Sequence, residues 1–496
     1  MKYIIIAILF TLNVQAQLVV NKSRYYGDAL NNTSTSIVKN RSNLWFVSTS
    51  EQSGTSQFVL NKIKTNLDTV FTKKITLVNT HYNPKIQFYK DTIYIAGYTN
   101  AQGLLDIEVI KVDTLGNIIQ AVYFGGSGSD ILESFVIDKF GNLVIGGKTT
   151  SLDFPCLGSS YQSATTGVMD AFIIKMNRNL STIWSTYLGG SNYDDSHTLT
   201  VDSLGSIYIA GNTLSVLFPI TPGAYQNTIA GGFDCYISKF NSNGNLLHST
   251  FLGGTSTDEI LSIKVDDNKL YVAGYTSSND FPGLTSVNGT DAIIVKLDTA
   301  LNFISTKKIG GSGQDIFNSI SILNHRLLVI GETDSPDITT INGVQPSFAG
   351  STDILIAILD SNLNHFTISY LGGLDYDAGF NSVYLDSIYI LGRTQSSVFP
   401  YQSNSLFGDY DNIIAKLSSS IYNFILEQTK SSLLIFPNPS NGTVYFSQEV
   451  KSIEVYNYNG QLIKSNQRQT SINIENLNNG IYLLKLDNAI YKIVKY

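Results

Sequence analysis

The sequence predicts an all-β protein: a seven-bladed β-propeller followed by a small Ig-like β-sandwich. Three observations carry this expectation. A short apolar segment recurs seven times along the chain, each copy sits in the same order of strand and turn signals, and the pattern changes near residue 430. A fixed internal repeat of this length is the mark of stacked supersecondary units, so it is read before any residue is given a role.

The apolar segments are "LWFVS", "IYIAG", "LVIGG", "IYIAG", "LYVAG", "LLVIG" and "IYILG", ending at Ser48, Gly97, Gly147, Gly211, Gly274, Gly331 and Gly392. Six are followed two residues on by threonine: Thr99, Thr149, Thr213, Thr276, Thr333 and Thr394. Short apolar runs bounded by turn signals are what strands buried on both faces look like. Before each comes an alternating segment and a tight turn such as "DSLGS". After it come an Asp-led strand such as "DCYISKF", a second tight turn and a strand ending in "YLGG". Four strands per unit at spacings of 49 to 64 residues give one propeller blade per repeat. The segment "LVVNKSRYY" either completes the last blade beside "IYNFILEQT" or precedes the first.

Antiparallel strands put the strand-two to strand-three loop and the blade-to-blade connection on one face. On the other face the turns are short Gly/Asn/Asp hairpins. The middle loops are long, as in Leu214 to Phe233, so this face is the candidate functional surface.

Composition narrows the function classes. A net charge of −7 without a Lys/Arg stripe removes the electrostatic footprint of a nucleic-acid binder. The start, Met1-Lys2 and an apolar run ending in "NVQAQ", predicts a signal peptide over 1–16 cut between Ala16 and Gln17, with no transmembrane segment in the mature chain. Cys156 and Cys235 fall at different places in their repeats; Cys235 reads as a buried small residue, and a disulfide stays open.

The strings "YFGGSGSD", "YLGGSNYD", "FLGGTSTD", "IGGSGQD" and "YLGGLDYD", with "DFP", "LFPITPGAYQ" and "VFP" after the apolar strands, resemble the bacterial SBBP β-propeller repeat family. The first two blades lack the Gly-Gly and are assigned by their strands. The family implies the fold and an extracellular setting. The tail, 430–496, with "FPNPSNGTVYF" and "NNGIYLLKLDN", resembles the C-terminal sorting domain of the type IX secretion system. That resemblance implies a partner in the type IX machinery and a secreted or outer-surface location in a Gram-negative bacterium. The propeller proper is then 17–429.

Candidate site residues follow from the repeat. An Asp stands five positions after the first Gly of each pair: Asp130, Asp194, Asp258, Asp315 and Asp377. Such carboxylates could bind calcium, but a residue present in every blade reads first as the holder of a glycine turn. A second series, Asp106, Asp170, Asp234, Asp291, Asp353 and Asp411, opens a strand in each unit and reads the same way. No cofactor is expected otherwise. The five histidines form no ligand spacing for zinc, and no nucleophile elbow is present. Phe154, Phe218, Tyr225, Phe281 and Phe399 of the long loops are the candidates for contacting a glycan or protein ligand, with packing back onto the blade as the alternative. The expectation is a non-catalytic binding or adhesion module. The competing readings are a polysaccharide-acting enzyme, in which His197, Asp195 and Arg393 would converge near the axis, and a purely structural surface protein.

Overall fold

A computed structural model describes residues 18–27, 32–52, 55–75, 80–100, 104–419, 435–436, 442–457, 461–487 and 489–495. The predicted cleavage point at Ala16 and Gln17 lies outside the described residues. The chain divides into two compact units, Met1–Ser418 and Ser419–Tyr496.

The first unit is a propeller of seven sheets. Blade 4 is representative: Thr198–Val201, Ile207–Thr213, Asp234–Phe240 and Leu246–Leu252 pair in sequence order, all antiparallel. The apolar repeat is strand two of each blade, flanked on both sides, so its side chains are buried throughout. The innermost strands are Ile37–Asn40, His81–Tyr89, Asp130–Ile137, Thr198–Val201, Asp258–Asp266, Asp315–Leu323 and Asp377–Tyr384. Each contacts the next and the last contacts the first, closing a ring around an axial channel.

Inner strands leave one edge unpaired, and an unpaired edge with buried backbone groups is costly. Side chains from the preceding blade satisfy it. Ser134 Oγ accepts from Leu199 N–H at 3.0 Å and Ser262 Oγ from Ile320 N–H at 3.1 Å. Asn318 Nδ2 donates to Gly379 O at 3.0 Å, and Asn381 Nδ2 to Thr35 O at 3.4 Å across the join between blades 7 and 1.

The join itself is made by the first described strand. Leu18–Tyr26 is the outermost strand of blade 7, beside Asp411–Ser419. This settles one of the two placements read from sequence in favour of closure. The expected neighbour "IYNFILEQT" lies outside the described residues. Tyr25 is the anchor: Asn404 accepts from its N–H at 2.9 Å and donates to its carbonyl at 3.0 Å, while its hydroxyl donates to Ser396 O at 2.8 Å.

Apolar packing runs between blades. Tyr208, Ala210, Ile237 and Leu252 of blade 4 share a core with Ile260, Ile263, Leu270 and Val272 of blade 5. Burying each such large side chain contributes about 1.5–3 kcal/mol, which makes blade stacking the main source of stability. On the short-turn face Asp113, Asp138, Asp202 and Asp298 each accept two backbone N–H bonds across their turns, as in Asp138 Oδ1 with Phe140 and Asn142 at 2.8 Å each. Cys156 and Cys235 are both free thiols.

The second unit is a five-stranded sheet. Its long strand, Thr443–Asn457, pairs Ile435–Phe436, Leu462–Asn473 and Gly480–Leu486, and Ala489–Lys495 completes the edge. A register shift between Tyr445 and Val450 bends that strand over a core of Val444, Ile453, Val455, Ile472, Leu484 and Ile493. Among the described residues no helix is long and apolar enough to cross a membrane.

Candidate functional site

The repeated acids are structural in their surroundings. Asp130, Asp194, Asp258, Asp315 and Asp377 are fully buried. Each accepts the N–H of the second glycine of its pair, Gly126, Gly190, Gly254, Gly311 or Gly373, at 2.7 to 2.8 Å. Each also accepts a serine hydroxyl, from Ser151, Ser215, Ser278, Ser335 or Ser396, at 2.8 to 2.9 Å. In blades 4 to 6 the recurrent Thr213, Thr276 and Thr333 hydroxyls donate to the second oxygen. The Thr-x-Ser spacing is visible in sequence, yet only the threonine drew notice; the serine partner was missed.

Blade 2 departs from this plan. His81 faces Thr99 in the register where Asp130 faces Thr149, and its Nδ1 lies 2.8 Å from buried Glu108. A buried His–Glu pair thus stands where the later blades place the Asp.

Four of the five loop aromatics are corrected by the structure. Phe154, Phe218, Phe281 and Phe399 are buried, not presented to a ligand. Phe154 packs on Phe172 with ring centroids 4.9 Å apart, and Phe218 on Tyr236 at 4.2 Å. The loops fold back so that each Phe wedges into its blade, because burying a ring outweighs leaving it in water. Tyr225 is 45% exposed and stacks on Phe303 at 5.1 Å.

A different set of residues meets at the axis. The axial channel, about 300 Å³, is lined by all seven blades. Five inner strands carry a register shift near their start, and in four of them the extra residue, Glu133, Leu261, Asn318 or Phe380, lines the channel. Bulges of this kind re-aim side chains next to binding sites. On strand two, the residue between the repeated Gly and Thr varies among the blades, with tyrosine alone occurring twice: Tyr98, Lys148, Asn212, Tyr275, Glu332 and Arg393. All but buried Asn212 are half-exposed, at the end of the strand that feeds the long loop.

These positions connect to the channel wall. Lys148 Nζ is 3.5 Å from Glu133 and 3.8 Å from Asp195, and His197 Nε2 is 3.2 Å from Asp195. Tyr193 OH donates to Asp195 Oδ2 at 2.9 Å, and Asn212 N–H to Oδ1 at 3.1 Å. Across the mouth Tyr376 OH donates to Glu332. The Arg393 guanidinium lies 5.2, 5.7 and 5.1 Å from the rings of Tyr376, Phe380 and Tyr410. Tyr82 and Tyr98 stack at 5.3 Å. Burial, then the bond to Glu332, pushes the Tyr376 hydroxyl up to about 12. His197, Asp195 and Arg393 are therefore all at the mouth, His197 and Asp195 in direct contact and Arg393 in an aromatic cage of its own.

Elsewhere, His325 meets Asp266 at 2.8 Å and Asp267 at 3.2 Å on the exposed short-turn face. Its neighbours come from another blade, so no spacing in the sequence announces the group.

Residues 183–219 match the family described as Beta-propeller repeat, SBBP, and residues 434–496 the family described as Secretion system C-terminal sorting domain. Regulatory protein FlaEY of Caulobacter vibrioides is 24% identical over 209 residues, covering 40% of this chain and 21% of that protein's length. Among solved structures, the polysaccharide lyase Uly1 is similar at 10% identity and a TM-score of 0.45, covering 80% of this chain and 92% of that one. The phage phi92 endosialidase is similar at 10% identity and a TM-score of 0.40, covering 97% and 87%. Residues 183–219 thus carry an SBBP β-propeller repeat within the seven blades and residues 434–496 a type IX C-terminal sorting domain, which makes the chain a secreted or cell-surface protein.

Proposed function

We propose that the protein is a non-catalytic binding module whose saccharide ligand enters at the axial mouth of the long-loop face. The observation that carries this reading is the placement of Tyr98, Lys148, Tyr275, Glu332 and Arg393. They occupy the variable position of an otherwise repeated strand, at the end that feeds the long loops, and Lys148 and Arg393 reach the channel-lining Glu133 and Phe380. Aromatic faces beside fixed hydrogen-bonding acids suit sugar rings, whose C–H faces stack and whose hydroxyls bond. The acids are held in place: Asp195 by Tyr193 and Asn212, Glu332 by Tyr376. The type IX tail would deliver this module to the cell surface or the medium. The fold needs no calcium in this reading, since two donors already fill one oxygen of each of Asp130, Asp194, Asp258, Asp315 and Asp377, and a threonine fills the other in Asp194, Asp258 and Asp315.

The catalytic reading has one observation in its favour, the Tyr376–Glu332 bond beside Arg393, which could serve a tyrosine nucleophile. A hydroxyl pushed up to about 12 resists ionisation, which weighs against it.

The test is a melting screen of the purified protein against a panel of polysaccharides, repeated with Y98A, Y275A and R393A. A ligand that binds only the folded state raises the midpoint with concentration. A saccharide-dependent rise lost in these variants supports the mouth. A rise that survives all three places the ligand elsewhere, and release of reducing ends from any panel member makes the protein an enzyme.

A further inference from the structure

The channel below the mouth has an unusual charge inventory for a chain of net charge −7. Its wall is mostly hydroxyls and amides, and among the described residues only four titratable groups line it: Lys85, Glu133, His197 and Lys264. Lys85 donates to Thr35 Oγ1 at 2.9 Å and feels the Glu133 carboxylate from the neighbouring blade. Lys264 is different. It stands on the inner strand of blade 5, and no hydrogen bond or ion pair joins it to any described residue. Burial pulls its ammonium below the usual lysine range, and no nearby charge counters that.

Lys264 is half-buried in the channel wall, and an ammonium that gives up part of its hydration without gaining a counter-charge is held at a cost that an apolar residue of the same length would not carry. Position also matters. Lys264 faces Tyr271 across its blade, two rungs below the rung of Ser262 and Ala273, hence deeper than the bulge residues of the mouth. The side chain therefore offers three N–H donors to whatever descends from the opening.

We propose that the axial channel binds an oxyanion, with Lys264 as its charge partner, Lys85 as a second cation in the same cavity, and the channel serines and amides as supporting donors. This deepens the proposed function by assigning the saccharide a carboxylate or sulfate group, and it rests on the mouth being the point of entry. The same chemistry would also hold a free small anion.

The experiment uses the purified protein, melted in rising sodium glucuronate, acetate, sulfate, chloride or glucose, as wild type and as Lys264→Met. The midpoint is expected to climb with glucuronate beyond its response to chloride at equal ionic strength, and K264M is expected to lose that climb. K264M without anion is expected to melt no lower than wild type, since the substitution removes a half-buried charge that has no partner among the described residues. Equal climbs with acetate or sulfate, also lost in K264M, assign the site to free anions. A climb with glucuronate alone assigns it to an anionic sugar. No anion-specific climb in wild type, or an equal climb in K264M, overturns the proposal. Stabilisation by glucose that K264M retains would overturn it while leaving the mouth intact. If K264M does not fold, K264Q, which keeps polarity and removes charge, is read in its place.

Discussion

Asp234 and Asp258, from neighbouring blades, close on Gly253 from two sides. A Cβ at that glycine would lie 2.8 Å from one carboxylate and 3.0 Å from the other. Neither acid can retreat, because Asp258 is held by Gly254 N–H and Ser278, and Asp234 by Ala230 N–H. G253A is therefore expected to cost about 1–3 kcal/mol from overpacking alone, more if a carboxylate loses a donor. G223A is the control: its φ of +82° is left-handed but nothing lies within 4 Å, so it should cost about 1 kcal/mol. Urea unfolding of both decides; equal costs would mean that the acids can give way.

Ser278 is buried and donates to Asp258 at 2.9 Å. Removing the hydroxyl leaves a buried carboxylate short of a donor, so S278A is expected to lose about 1–3 kcal/mol in urea unfolding. The same loss from S215A beside Asp194 would show that the role is common to the repeat.

Because a glycine N–H and a serine hydroxyl already fill one oxygen of each repeated acid, EDTA is expected to leave the melting midpoint unchanged. A fall on chelation that calcium reverses would assign the acids to a metal.

Burial pushes the carboxyls of Asp194, Asp234 and Asp377 up to about 6 and that of Asp353 up to about 7. Their unfolded values are near 3.9, so the folded state binds protons more tightly than the unfolded chain. The stabilising contribution is absent at pH 8, grows as pH falls through 7 and 6, and is complete below the unfolded value. The urea midpoint is expected to be higher at pH 5 than at pH 8. Asp353 faces Asp377 and accepts from Gln345 at 3.0 Å, and D353N keeps that acceptor while removing the charge. It should raise stability at pH 8 and flatten the slope between 8 and 6. An unchanged slope would detach the effect from this pair.

Asn404 holds both polar groups of the Tyr25 backbone. N404A is expected to cost about 1–3 kcal/mol, being two bonds of roughly 0.5–1.5 each. Removing the strand Leu18–Tyr26 altogether exposes the edge of Asp411–Ser419, and the expected result is a lower midpoint and self-association by size-exclusion chromatography. A monomer of unchanged midpoint would show that the ring does not depend on its latch.

Much of this was legible because a blade writes its plan locally. Apolar strand two, the Thr after it and the Asp-led strand three all lie within one repeat, and the structure places them as the period implies. The joints were less legible. Gly253, Asp234, Asp258 and Ser278 belong to one cluster but come from three segments of two blades. Phe154 and its counterparts sit in long loops, where sequence suggests exposure; only the path of the loop shows that the ring turns inward. The mouth was legible in part: His197, Asp195 and Arg393 stand out as polar residues that do not recur, whereas Tyr98, Lys148 and Glu332 sit inside a repeated strand whose recurrence masks them. His81 escaped because its blade lacks the Gly-Gly that marks the register.

Tyr25 and Asn404 are 379 positions apart. The strand Leu18–Tyr26 has no seat until the last blade exists, so the ring can shut only when nearly the whole propeller sequence is present on one side of a membrane. Native contacts across so long a loop form late and slowly. The propeller's first strand is thus its final piece, and a chain interrupted in passage is left as an open arc.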